Sequence, residues 1–323
     1  RLGGEAAALQ CVYSGQYRNG MVVRIAGLGY QEGFGGHFHN DDSLTVLRDL
    51  PGVVVAVPAR PDDAAAMLRT LVAAAQVDGT VSVIVEPIAR YHPTDLIEPG
   101  DRLWLAAPTP GEHVPIGAAR TYGDGTNITL LTFGNGVYMS LRAAYRLLAR
   151  GIGARVVDMR WIAPLPIDDI LREAEATGAV LVVDETRCSG GVAEGVLAAL
   201  IDGGFGGRMA RVTSKDSFIP LGDAAKLMLL SEPEIEAAVE LGGGQRPRPT
   251  CVPSHAAIVA APDTPRSTAD GSAGADGAGV RHRVEARDPD ARARVGRVDD
   301  QAVADVDADV ADRAVVEDQV AGA

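Results

Sequence analysis

Met21-Val22-Val23-Arg24-Ile25-Ala26 leads, a few residues on, into Gly33-Phe34-Gly35-Gly36-His37-Phe38-His39-Asn40-Asp41-Asp42-Ser43. β-Branched residues outnumber helix formers in the first stretch, which predicts a buried strand. The second stretch crowds glycines, two histidines and two acids onto one loop, a density that marks a site. A strand that delivers such a loop at its carboxyl end fits an open α/β sheet, whose ligands collect along that edge.

The residues downstream continue the pattern. Val53 to Val57 is a β-branched run ended by Pro58, and Pro61 with Asp62 and Asp63 predicts a helix start, because proline suits the first turn and acids complement the dipole. Met67, Leu68, Leu71, Val72 and Ala75 recur at helical spacing, and Val81 to Val85 predicts the next strand, which completes βαβ order. Five prolines between residues 93 and 118 predict an extended linker. Beyond it, Ile128 to Phe133, Ala154 to Met159, Ala179 to Asp184 and Met209 to Thr213 read as strands, separated by helices over 137–150, 167–176 and 191–202. That order predicts a second parallel, doubly wound sheet. Ser231-Glu232-Pro233-Glu234 is a capping box that starts a last helix over 232–240. Ahead of the first strand, Glu5 to Leu9 reads as the end of a helix begun upstream, so the chain looks truncated at its N-terminus. After Leu241 no leucine, lysine or aromatic residue occurs, so the tail cannot bury a core and is expected to be disordered or a non-native reading of the gene.

With 323 residues and 46% hydrophobic content, the chain suffices for two ordinary domains. A formal net charge of −13 argues against a nucleic-acid surface. The apolar runs are too short to span a bilayer, and the expectation is a soluble, cytoplasmic protein without membrane association. Cys11, Cys188 and Cys251 lie far apart with no CxxC spacing, and are expected to be free thiols.

His37 and His39 share a face if their segment is extended, and the string His37-Phe38-His39-Asn40-Asp41-Asp42 approaches the HxHxDH pattern of metal-dependent hydrolases. No second ligand cluster accompanies it, so no metal site is assigned. Gly134-Asn135-Gly136 lacks the third glycine of a dinucleotide fingerprint and reads as a tight strand-to-helix turn. Gly123-Asp124-Gly125 reads as a linker turn. Asp184-Glu185 ends a strand before Gly190-Gly191, either as a solvated strand end or as a carboxylate pair with a function. Arg24, within an apolar strand, needs a partner if buried; Asp41, Asp42 and Glu86 are the candidates.

Taken in order, MVVRIAGLG, GGHFHNDDS, PGVVVAVP, Asp62-Asp63-Ala64, Val85-Glu86-Pro87 followed by Tyr91, Val156 to Leu165, and Val183-Asp184-Glu185 with Gly190-Gly191 resemble the beta subunit of thiamine-diphosphate-dependent 2-oxo acid dehydrogenases, of pyruvate or branched-chain type. The resemblance covers roughly residues 10 to 240. It implies an α/β fold of two doubly wound sheets: a partial pyrimidine-binding domain over 1–95, a linker over 96–118, a transketolase C-terminal-like domain over 119–242, and the tail over 243–323. It implies thiamine diphosphate as cofactor, with magnesium held by a missing domain or subunit, and oxidative decarboxylation with acyl transfer to lipoamide. The implied partners are an alpha-type subunit or fused N-terminal half and a lipoyl-bearing acyltransferase, in a dimer or heterotetramer. The family's histidine falls on His39, which implies a proton-transfer and orienting role. His37, Asn40, Asp41, Asp42 and Glu86 become supporting or substrate-contacting positions, and Asp184 and Glu185 interface candidates. The family's glutamate that protonates the aminopyrimidine lies on an early helix with no counterpart here, so this portion is expected to be inactive alone. The alternatives are a transketolase-like transferase, a hydrolase using a metal at His37 and His39, and an interaction-only remnant.

Overall fold

A computed structural model describes residues 2–30 and 40–241. A π-helical turn (Leu2–Ala7) runs into α1 (Ala8–Val12), followed by β1 (Met21–Gly27), α2 (Thr45–Arg48), β2 (Val53–Ala56), α3 (Pro61–Asp78) and β3 (Val81–Pro87). After a long connection come β4 (Arg120–Tyr122), β5 (Ile128–Thr132), α4 (Asn135–Leu148), β6 (Ala154–Asp158) and β7 (Trp161–Ala163). Next are α5 (Ile167–Thr177), β8 (Ala179–Arg187), α6 (Val192–Asp202), β9 (Arg208–Ser214) and α7 (Glu232–Glu240). Two sheets result, in the orders β1-β3-β2-β7 and β4-β6-β5-β8-β9. Both are parallel except for β7 and β4, which pair antiparallel with β2 and β6.

The helices start and stop where the sequence chemistry directs. α3 carries Pro61 in its first turn with Asp62 and Asp63 beside it, and ends at Gly79, whose φ of 74° is the left-handed conformation that glycine adopts at least cost. α7 begins with the Ser231 and Glu234 capping box, the Ser231 N–H donating to Glu234 Oε2 at 2.8 Å. Three arginines at four-residue spacing, Arg142 and Arg146 on α4 and Arg150 just past its end, meet Glu232, Glu236 and Glu240 at the same spacing on α7. This ladder fixes α7 against the sheet.

β5 is buried throughout, and β8 nearly so, as central parallel strands covered on both faces must be. Val55 and Val57 near β2, Val83 and Val85 on β3, Phe133 after β5, Val180 and Val182 on β8 and Ile170 on α5 form one continuous core, so the two sheets share it. β7 extends the sharing, since it follows β6 in the chain yet completes the first sheet. Arg160, at φ 60° between β6 and β7, donates to buried Asp63 of α3 at 2.6 Å, and its own N–H donates to Asp158 at 2.9 Å.

Three expectations need correction. β1 is not a buried strand: among the described residues it lies at a sheet edge, paired with β3 alone, and Met21 and Ile25 are each 37% exposed. Arg24 accordingly points outward and is held by Glu86 at 2.6 and 3.1 Å, so it demands no buried partner. Residues 93–118 are an organised loop, not an extended linker. Asp101 accepts from the N–H groups of Leu96, Ile97, Glu98 and Leu103, and Trp104 is buried edge-on to Tyr138 at 5.0 Å between ring centroids. Cys11 is a free, exposed thiol, whereas Cys188 is disulfide-bonded and Cys251 lies outside the described residues. The expected tail over 243–323 also lies outside them. Among the described residues no helix is long and apolar enough to cross a membrane.

Candidate functional site where the sheets' carboxyl ends meet

The carboxyl ends of β1, β5 and β8 converge. After β1 the backbone takes left-handed angles at two non-glycine residues, Leu28 (φ 67°) and Tyr30 (φ 69°), a strain that surrounding structure must enforce. Leu28 is fully buried, and a side chain on Gly134 at the start of α4 would collide with it and with Glu185. Gly134 (φ 54°) is therefore required twice over, for conformation and for space. Gly134-Asn135-Gly136 is thus the tight strand-to-helix turn expected.

That turn grips a carboxyl group. Asn135 donates its N–H to Glu185 Oε1 at 2.9 Å and its amide Nδ2 to Oε2 at 2.8 Å. Glu185 is only 1% exposed, and burial pushes its carboxyl up to about 8 against the two bonds from Asn135, with the Asp42 and Asp184 charges adding to the shift. Asp42 is 3% exposed and burial raises it to about 7, with Arg187 opposing; its Oδ1 has no hydrogen-bond partner. Asp184 is raised by the same cause, but its bonds are local: it accepts from the Ala193 N–H at 2.6 Å at the start of α6 and from Thr186 at 2.7 and 2.8 Å. Asp184 caps α6, and neither carboxylate of the pair is a solvated strand end.

The remaining expected positions divide. Asp41 is exposed, accepts from Ser43 and pairs with Arg187 at 3.2 Å, which ties the loop after β1 to the end of β8. Asn40 is buried, with Oδ1 unpartnered. Glu86 stands apart, accepting from Arg24 and from the Tyr91 hydroxyl at 2.8 Å. His37 and His39 lie outside the described residues. The residues that flank their segment, Tyr30 and Asn40, both line a cavity of about 700 Å³ that also meets Arg90, Asn135 and the 219–232 stretch.

Sequence reading missed Tyr30, Arg90 and Asn135. The only signal for Asn135 was its place between two glycines, and nothing local distinguished Arg90 from a surface arginine. Chemically, two carboxyl groups that titrate near neutrality beside unspent hydrogen-bonding atoms can hold or pass a proton. Among the described residues no group of three or more His, Cys, Asp or Glu could hold a metal.

Two parallel-dominated sheets with this carboxyl-end junction make a transketolase-like fold. Residues 117–235 match the family described as the transketolase C-terminal domain. The chain is 28% identical over 240 residues to the pyruvate dehydrogenase E1 component subunit beta of Bacillus subtilis, covering 72% of this chain and 68% of that one. It is 30% identical over 190 residues to a 1-deoxy-D-xylulose-5-phosphate synthase of Geobacter sulfurreducens, where it spans 58% of this chain but only 28% of the synthase. A solved split-gene transketolase, described as an inactive beta4 tetramer, superposes with a TM-score of 0.53 at 24% identity over 68% of this chain and 65% of that one, a likeness of fold. The resemblance to 2-oxo acid dehydrogenase beta subunits therefore stands.

Proposed function

We propose that the chain is the beta-type portion of the thiamine-dependent component of a 2-oxo acid dehydrogenase, acting in oxidative decarboxylation with acyl transfer to lipoamide. The observation that carries this is the 240-residue similarity to a pyruvate dehydrogenase E1 beta subunit, which takes in 72% of this chain. The cofactor is thiamine diphosphate, which when bound supplies the carbanion chemistry. The described residues suit only its pyrimidine side. Asn40 and Asp42 leave acceptor atoms unspent at a carboxyl edge, which fits a polar group arriving from outside, while among the described residues no cluster of His, Cys, Asp or Glu could hold a diphosphate-bound metal. Magnesium and the diphosphate are then held by an alpha-type subunit or a fused N-terminal half, and acyl groups pass to a lipoyl-bearing acyltransferase.

This chain's contribution is to wall the pyrimidine side, to exclude water through the shared core, and to present His39 as a proton carrier. Asp42 and Glu185 add groups that exchange protons near neutrality. The test is His39→Ala in the assembled enzyme. Acyl transfer to lipoamide should fall about a hundredfold while thiamine diphosphate still binds, as removal of a positioned acid or base requires. Undiminished transfer would remove His39 from the mechanism.

The similarity to 1-deoxy-D-xylulose-5-phosphate synthases favours a second reading, a transketolase-like transferase. The acceptor separates the two, since the first delivers acyl groups to lipoamide and the second delivers two-carbon units to an aldehyde.

A further inference from the structure

We propose that the cavity at the junction of the two sheets binds a small aliphatic carboxylic acid that carries a hydrogen-bond donor beside its carboxylate, as a 2-hydroxy acid does. The proposal rests on what the lining leaves unpaired. Arg90 follows β3 and lies over the ring of Tyr138, its guanidinium carbon 4.1 Å from the ring centroid, with Nε and Nη1 buried and without hydrogen-bond partners. Buried guanidinium N–H groups without acceptors are costly, and they are rarely left so unless something arrives to accept. The other charged side chains of the lining are already paired. Glu232 is held by Arg142 at 2.9 Å and Arg146 at 2.6 Å, and Asp223 by Lys226 at 2.8 Å. Among the described residues of the lining, Arg90 is thus the cation that lacks a bonded anion, and its planar fork matches a carboxylate.

The same cavity holds two buried amide oxygens that seek a donor. Asn40 is 4% exposed and Asn135 is 1% exposed, and the Oδ1 atom of each has no partner. A ligand with a carboxylate alone would leave both unsatisfied, whereas a neighbouring hydroxyl would satisfy one. Met139, Ile219, Leu229 and Leu230 give the wall an apolar stretch, which suits a short aliphatic body. The volume, about 700 Å³, is that of an ordinary small-molecule site.

The proposal stands on the cavity and goes beyond the activity proposed above. Its readout is binding to the full chain without thiamine diphosphate, so its failure leaves that activity untouched. Calorimetric titration of the full chain should give saturable binding of 2-hydroxy-4-methylpentanoate. The corresponding amide should bind about tenfold more weakly or worse, because the charge-assisted bonds to Arg90 are lost, and 4-methylpentanoate, without the hydroxyl, should bind several-fold more weakly. Arg90→Gln should weaken the hydroxy acid about tenfold or more, with Arg90→Lys in between. If the Arg90 variants do not fold, the ligand series on the unaltered chain decides. No saturable binding by the unaltered chain, equal binding of acid and amide, preference for inorganic phosphate, or a folded Arg90→Gln protein that binds as before would each overturn it.

Discussion

Glu185 shows how far a single residue can be read from sequence. An acid at the carboxyl end of a strand is ordinary, and Asp184-Glu185 left open whether water or protein surrounds it. Only the tertiary junction decides, by placing Leu28, Gly134 and Asn135 around the carboxyl. The consequence is testable through pH. Glu185 and Asp42 hold protons in the folded chain up to about 8 and about 7, whereas unfolded they release them near pH 4. Their contribution to stability is therefore complete below the unfolded values and is lost as pH rises through the folded ones. The melting temperature should fall between pH 5 and pH 8.5, and Glu185→Gln should flatten that slope and stabilise the protein at pH 8. Glutamine keeps an acceptor for the Asn135 N–H, and the unpartnered Asn135 Oδ1 can turn to accept from its amide. A melting temperature that rises over this range, or an unchanged slope in the variant, would contradict the buried protonated carboxyl. The site's glycines and acids were visible as an unusual density in one loop, but Arg90 was not, because its burial comes from Tyr138, far away in sequence.

Elements were legible where their ends carry chemistry. α3 was readable from Pro61, Asp62 and Asp63, and α7 from Ser231 and Glu234. β4 and β7 were missed, since three residues give no alternation to read, and β1 was misjudged as buried because apolar content does not tell an edge strand from a central one. The cap and the ladder on α7 make separable predictions. Ser231→Ala should cost about 1 kcal/mol, the usual worth of a capping hydroxyl, and do so at any salt concentration. Glu236 meets two arginines on the partly exposed α4–α7 ladder, so Glu236→Gln should cost about 0.5 to 1 kcal/mol in dilute buffer and markedly less in concentrated salt. Chemical denaturation at two ionic strengths distinguishes them, and a salt-independent loss in Glu236→Gln would argue that the ladder acts by packing.

At the scale of the molecule, the βαβ series and the second wound sheet were legible because buried parallel strands alternate with amphipathic helices. The return of β7 to the first sheet was not, since it depends on where Arg160 finds Asp63. Loss of that buried pair through Arg160→Ala should cost about 3 kcal/mol, near the lower end for a broken buried ion pair, because Arg120 still reaches Asp63 at 3.1 Å. Both sheets should melt together in the variant as in the parent, given the core they share. Two separate transitions would contradict that sharing.

The beta-type assignment itself is tested most directly by reconstitution. The chain is co-expressed with a thiamine-diphosphate-binding alpha-type subunit and supplied with magnesium, a 2-oxo acid and lipoamide, whose disulfide is the acceptor and oxidant, and acyl-dihydrolipoamide is measured. Product should form only when both proteins are present and should fall about a hundredfold with His39→Ala. An assembled, cofactor-loaded complex that releases no acyl-dihydrolipoamide but transfers a two-carbon unit to an aldehyde would contradict the assignment and establish the transferase in its place.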